Sequence, residues 1–352
     1  MRAALKLLTA LLAGSLLSSC YYGQLLSGQW QVLSQAEPIG ELLQQADLDP
    51  VLRRQLELVQ AASSFAGSEL LLPQNASYQR YADLGRDYVV WNVYAAPEFS
   101  VAAHQWCYLI VGCLAYRGYF EPEAAQRYAQ QLAADGLDTH VGPVAAYSTL
   151  GWFDDPLLNT MLRRSDASLA GLVFHELAHQ MLFVEGDTAF NESYASFVEL
   201  QGLRSWLVQR DESSEQIEIG LQRQAQFAEL VVAARSRLQK LYQSALPAPQ
   251  MRARKQAVIE QLRADYQSLR ETRWQGADPY QQWFADPINN AKLNTVALYN
   301  QWLPAFERLY RDNGSDWARF HLATAVLAAQ SGDERLATLR RLLEAPGGTD
   351  GD

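Results

Sequence analysis

The sequence has little positive charge. Lysine and arginine total 29 against 39 aspartates and glutamates, a formal charge of −10 over 352 residues. So acidic a chain argues against a nucleic-acid partner, which needs a basic face. It is also mildly unfavourable for anionic membrane surfaces. Long hydrophobic runs are missing too. Leu7–Leu17 is apolar and uncharged, but a bilayer needs about 20 such residues, so this run does not span one. No internal repeat occurs. No long tract is biased to one amino acid. Cysteine numbers 3 and histidine 5, so chemistry based on either rests on a handful of positions. The 49% of apolar residues supply a full core, and the length suggests about two domains.

The N-terminal "MRAALKLLTALLAGSLLSSC" sets Arg2 and Lys6 ahead of the apolar run, the layout of a secretory signal peptide. Leu17-Ser18-Ser19-Cys20 resembles the lipobox of bacterial lipoproteins: a branched apolar residue, two small ones, then cysteine. That resemblance implies cleavage after residue 19, lipid on Cys20 and membrane anchorage through it in the bacterial cell envelope, facing the periplasm. Tyr21, in place of aspartate, implies the outer membrane. A plain signal peptide cleaved nearby and a buried N-terminal helix are the alternatives. Cleavage removes Arg2 and Lys6 and takes the formal charge from −10 to −12. Export bears on Cys107 and Cys113, in "WCYLIVGCLAY". An even pair in an oxidising compartment suggests a disulfide. On one straight strand they would stand about 20 Å apart, too far to bridge. A bend at Gly112 would bring them together; two buried thiols are the other reading.

Apolar spacing predicts a helix from Glu37 to about Leu71, with Pro50 near a helix start. Tyr78 to about Leu114 is rich in β-branched and aromatic residues and reads as strands. Glu121–Gly136 returns to helix, with Pro122 early and Gly136 after the end. "LDTHVGPVAAYSTLGWF" reads as one or two strands. Asp166–Gly186 predicts a helix of about five turns, capped by Ser165 or Asp166 and stopped at Gly186. A second helix covers about Asn191–Val208. Two long polar helices, roughly 213–245 and 250–274, flank "LPAP" as a hairpin. The last third is helical and ends in a frayed "APGGTDGD". The predicted fold is α+β and helix-rich, with a small β-sheet early and a helical C-terminal half. The regions are residues 1–19, 20–150 and 151–345.

The chemistry concentrates in "LVFHELAHQMLFVEGDTAFNESYASF", residues 172–197. On a helix His175 and His179 lie one turn apart on one face, the spacing that binds zinc. Glu176 points about 100° further round. There it reaches a water on the metal and serves as general base. The surrounding leucines, valines and phenylalanines make this helix interior, where two histidines and a glutamate are costly without partners. A satisfied core histidine pair is the alternative. A third ligand is needed, and Glu185, Asp187, Glu192 and Glu199 follow. Glu185 stands where the metzincin pattern puts its third ligand, but that pattern needs glycine where this chain has Leu182. A continuing helix would also carry Glu185 about 280° away from His175. Glu192, past the "EGDT" turn, can come over the histidine face, with Asn191 and Glu199 as supporting partners. The arrangement resembles the gluzincins.

"HELAHQ", "FNESYASFVE", "AYSTLGWFDDP", "WCYLIVGCLAYRGYF", "WNVYAAPEFS" and "NNAKLNTVALY" together resemble the bacterial family of predicted aminopeptidase lipoproteins. The resemblance covers residues from about 21 to about 325. It implies a zincin-like core and a Zn2+ peptidase acting on peptide substrates, with His175, His179 and Glu192 as ligands and Glu176 as catalyst. The edge strand of the gluzincin aminopeptidases corresponds to residues 145–153, which carry no acid. Asp154, Asp155 and Glu199 are the candidates for holding an α-amino group. Tyr147 and Tyr299 are candidate oxyanion donors. Asn289 and Asn290 read as caps, and Arg117 as a structural ion-pair partner. A catalytically idle zinc-binding protein and a structural envelope lipoprotein are the alternative functions.

Overall fold

Local capping decides where the helix after Asp49 begins. Asp49 accepts hydrogen bonds from Val51 N and Leu52 N, and Pro50 takes the first helical position, so α1 runs Pro50–Ser68. It is shorter than the predicted 37–71. Pro38 holds Glu37 extended, and Glu37–Pro38 pairs as a short strand, β1, with β2, Arg80–Ala82. The computed structural model describes residue 21 and residues 23–108, 112–146, 149, 154–300 and 302–344, with 297–300 described by backbone alone.

The aromatic, β-branched stretch forms the expected strands. These are β3 (Val90–Pro97), β4 (Trp106–Tyr108), β5 (Gly112–Leu114) and β6 (Arg117–Tyr119). Helix α2 is Pro122–Ala134, with Gly136 in the left-handed region beyond its end, φ +86°. It leads into β7, Leu137–Val144. An antiparallel sheet has the order β6–β3–β7. One face sets Val93, Ala95 and Tyr119 against Ala125, Ala129 and Leu132 of α2. The other carries Tyr94, which pairs directly with His140 and stands 5.9 Å, ring to ring, from Tyr116. Short β8, Leu157–Leu158, runs parallel to β2.

The remaining long elements are helices. They are α3 (Asp166–Met181), α4 (Thr188–Gln209), α5 (Glu215–Tyr242), α6 (Ala248–Arg273), α7 (Asn290–Asn300), α8 (Leu303–Asp312), α9 (Trp317–Ala328) and α10 (Gly332–Glu344). The hairpin of α5 and α6 closes around Phe227, Val231, Leu238, Ile259, Leu262 and Tyr266. Helices α3 and α4 sit in the main core, which draws residues from Val32 to Leu339. Gly202 lets α4 come close, since a β-carbon there would stand 2.6 Å from Leu70 Cδ1. Phe190 meets Phe306 edge to face at 5.2 Å, and both are fully buried. Each such side chain contributes roughly 1.5–3 kcal/mol by leaving water. Among the described residues no helix is long and apolar enough to cross a membrane.

Candidate metal centre

The loop between α3 and α4 sets the geometry. Ser165 caps α3, accepting from Ser168 N at 3.3 Å. The helix stops at Met181 and not at the predicted Gly186. Asn191 is the reason: its side-chain amide accepts from Val184 N and donates to Val184 O, each at 2.8 Å. Leu182 is therefore extended, and Gly186 (φ +77°) makes the turn. Asn191 thus acts on the loop backbone and not on a ligand. Asp187 caps α4 by accepting from Phe190 N at 3.1 Å, so the helix begins three residues before the predicted Asn191. The other Asp187 oxygen accepts from buried Arg335 Nε at 2.9 Å, which ties α10 to this turn.

The folded-back helix brings Glu192 over the histidines. His175 Nε2 and His179 Nε2 stand 3.2 Å apart, and Glu192 Oε2 is 3.5 Å from the first and 3.6 Å from the second. Three ligands at about 2.1 Å around a tetrahedral ion would stand roughly 3.4 Å from one another, so this donor triangle has the size of a zinc site. Glu192 and His179 are buried. Among the described residues this is the one group of three such side chains able to hold a metal ion. Glu199, two turns along α4 from Glu192, stands 3.0 Å from His175 Nδ1 and fixes that ring. Its side chain crosses Gly171, where a β-carbon would lie 3.2 Å from Glu199 Cγ.

Electrostatics follow from the crowding. Burial works against the charged form of His175, but hydrogen bonds to Glu192 and Glu199 hold its pKa well above 6.5. Burial likewise raises Glu192, but the two histidines outweigh it and bring it to about 2. Glu176 is raised, chiefly by burial. The Tyr116 hydroxyl is raised by burial and then by the charges of Glu192 and Glu176. That keeps the Tyr116 hydroxyl protonated, within the field of both carboxylates. Sequence reasoning did not single it out; it stands one residue before β6, with its ring 5.9 Å from that of Tyr94.

Other expectations divide. Tyr147 and Cys20 lie outside the described residues, as does the side chain of Tyr299. Residues 145–153, expected as an edge strand, are described only at 145, 146 and 149, none in a strand. Glu185 packs against Gly112 and is not part of the metal-binding group. Cys107 and Cys113 face each other across the β4–β5 hairpin and are bonded, with Gly112 (φ +70°) supplying the bend. Of the acids weighed for an α-amino group, Glu199 is held by His175. Asp155 is buried and accepts from Thr149 N and Oγ1, and Asp154 is exposed. Arg117 corrects its reading as an ion-pair partner: its guanidinium lies 3.7 Å over the Tyr21 ring and 4.8 Å over Tyr128. Asn289 caps α7 through Lys292 N, whereas Asn290 crosslinks the strand end at Pro97 and Glu98. A groove of about 650 Å³, lined by Phe197, Leu200, Leu221 and Leu303, contains none of the metal-binding donors. The groove and the donor triangle are therefore separate places on the molecule.

A family model described as "Putative aminopeptidase" matches residues 20–339. No curated protein and no solved structure matches the chain.

Proposed function

We propose that this chain, which belongs to the family described as "Putative aminopeptidase", is a zinc-dependent peptidase with a zincin-like, gluzincin-type core. The observation that carries the reading is the triangle of His175, His179 and Glu192, at 3.2–3.6 Å, with Glu176 next to His175 on the same helix. Two imidazoles and one carboxylate, with a position left for water, suit catalytic zinc. When bound, Zn2+ polarises the scissile carbonyl and acidifies water. Glu176 takes the proton from the attacking water and delivers it to the leaving amine nitrogen. Its burial favours the first half, because a desolvated carboxylate takes up a proton more readily. Tyr116 donates to the oxygen on which negative charge develops. Peptide-library digestion read by mass spectrometry tests the reading. Release of N-terminal residues, lost with a chelator and restored by zinc, is expected; cleavage indifferent to chelator would sink it.

Two outcomes follow at the metal. Glu199→Gln weakens the hold on the His175 ring, and zinc affinity falls about 10–100-fold in a competitive-chelator titration. The second concerns pH. The raised His175 pKa contributes stability to the metal-free chain below 6.5 and loses it as pH rises through the folded value. Zinc must displace that proton. The rise in Tm on adding zinc therefore grows from about pH 6 to about pH 8 in calorimetry; a constant or shrinking gain would contradict it.

For Cys20 we propose lipidation and an outer-membrane anchor, on the signal layout and the Leu17–Cys20 motif. Fractionation of cells expressing Cys20→Ala tests this, since a variant still in the membrane fraction rules the anchor out.

A further inference from the structure

Tyr78 combines three unusual features. It is an aromatic residue in the left-handed region, φ +62°, where a β-carbon is strained and glycine is the ordinary occupant. Its side chain is 1% exposed. Its hydroxyl, though fully buried, has no hydrogen-bond partner, and such groups are rare in folded proteins.

The surroundings hold the residue in that state. Tyr78 N donates to Asp155 O at 2.7 Å. Its neighbour Ser77 accepts at Oγ from Asp155 N at 3.2 Å and from Gln180 Nε2 at 3.1 Å. Asn75 Nδ2 completes the tie, donating to Gln180 Oε1 at 2.7 Å. Gln180 is on α3, four residues after Glu176, so the two share a helix face. The turn that carries Tyr78 is therefore anchored on α3 one helical turn beyond Glu176. The Glu176 carboxylate is itself buried, and among the described residues no hydrogen bond reaches it. Tyr78 thus carries a buried donor without a partner on the turn tied to the α3 face that bears Glu176.

We propose that Tyr78 is a positioning residue: its hydroxyl, unpartnered in the metal-free chain, donates to the Glu176 carboxylate in the metal-loaded enzyme and aims that side chain at the metal centre. The inference rests on Glu176 being the base of the proposed peptidase. The two groups do act on each other electrically, since the Glu176 charge follows burial as a cause of the raised Tyr78 pKa. The strained backbone is then the cost of bringing a side chain from outside α3 to the back of its catalytic face.

Tyr78→Phe keeps the ring and removes the hydroxyl. The expected kcat falls about 10–100-fold, as for a slightly misplaced catalytic group. KM and zinc content stay at wild-type values. The Tm of the metal-free variant is unchanged or higher, because an unpaired buried hydroxyl has been deleted. A kcat within twofold of wild type overturns the proposal. So does a lower kcat accompanied by lower Tm or lost zinc, which marks a structural role. A binding measurement separates this from failure of the peptidase reading. Zinc-loaded protein is titrated by calorimetry with a phosphinic dipeptide, whose tetrahedral P–O group sits where Glu176 would donate. Tyr78→Phe should weaken binding about tenfold even if peptides are not turned over; equal affinity overturns the proposal.

Discussion

Glu176→Gln leaves zinc content at wild type and lowers kcat by about 100- to 10,000-fold, the contribution of a positioned general base. The amide is nearly the size of the acid but takes no proton at neutral pH. The neighbouring donors are on other residues: His175 and His179 meet Glu192 at 3.5 and 3.6 Å, without Glu176. The variant is also expected to be as stable as the wild type or more so. Glu176 is buried and its pKa is raised, burial being the largest cause. A carboxyl whose folded pKa lies above the unfolded value stabilises the fold only at low pH and opposes it above. Removing the charge at neutral pH removes that opposition. Lower activity with equal or greater stability is the signature of a group kept for chemistry. Metal analysis, steady-state kinetics and thermal melts on one preparation read all three. Turnover that survives the substitution means that some other group accepts the proton.

His179→Ala acts on the metal instead. His179 is buried, and its Nε2 supplies one corner of the donor triangle at 3.2 Å from His175 Nε2. Without it two protein ligands remain, and zinc is expected to be lost at purification. Zinc that binds only the folded chain stabilises it by mass action, about 4 kcal/mol when free zinc stands a thousandfold above its dissociation constant. The variant loses that increment and should melt at the temperature of chelator-treated wild type, not far below it. Equal melting of zinc-loaded wild type and His179→Ala would mean that no ion is held there. A still lower Tm would instead assign the ring a packing role. Ring centroids of His175 and His179 are 4.8 Å apart, near edge to face.

The metal motif was legible because it depends on one helix. The spacing of His175 and His179 fixes their shared face through 3.6 residues per turn, whatever surrounds them. Glu192 was also within reach, since "EGDT" is turn chemistry and a short connection between helices forces them to fold back. The supporting group Glu199 could be named from its place two turns beyond Glu192. The loop itself was misjudged. Asn191 looked like a partner for a ligand, but its amide closes on Val184, and a side chain bonding to backbone seven residues away leaves no periodic trace. The same holds for Arg117, whose cation rests on Tyr21, 96 positions distant (117 − 21).

Hydrophobic period, turn residues and donor spacing are short-range properties. By themselves they determined a helix-rich α+β chain, the places of α3 and α4, and the three side chains able to grip an ion. Tertiary structure alone decided which tyrosines feel the charge of that region. Tyr78 and Tyr116 lie 98 and 60 positions before Glu176 (176 − 78, 176 − 116), yet its charge is among the causes that raise both hydroxyls, once the Gln180 tie and the strand register have folded the chain. Tyrosine occurs 17 times in the chain. Nothing local distinguishes one ring from another, because a side chain's reach is a few ångströms while the folding that brings it to its target is set by the whole core.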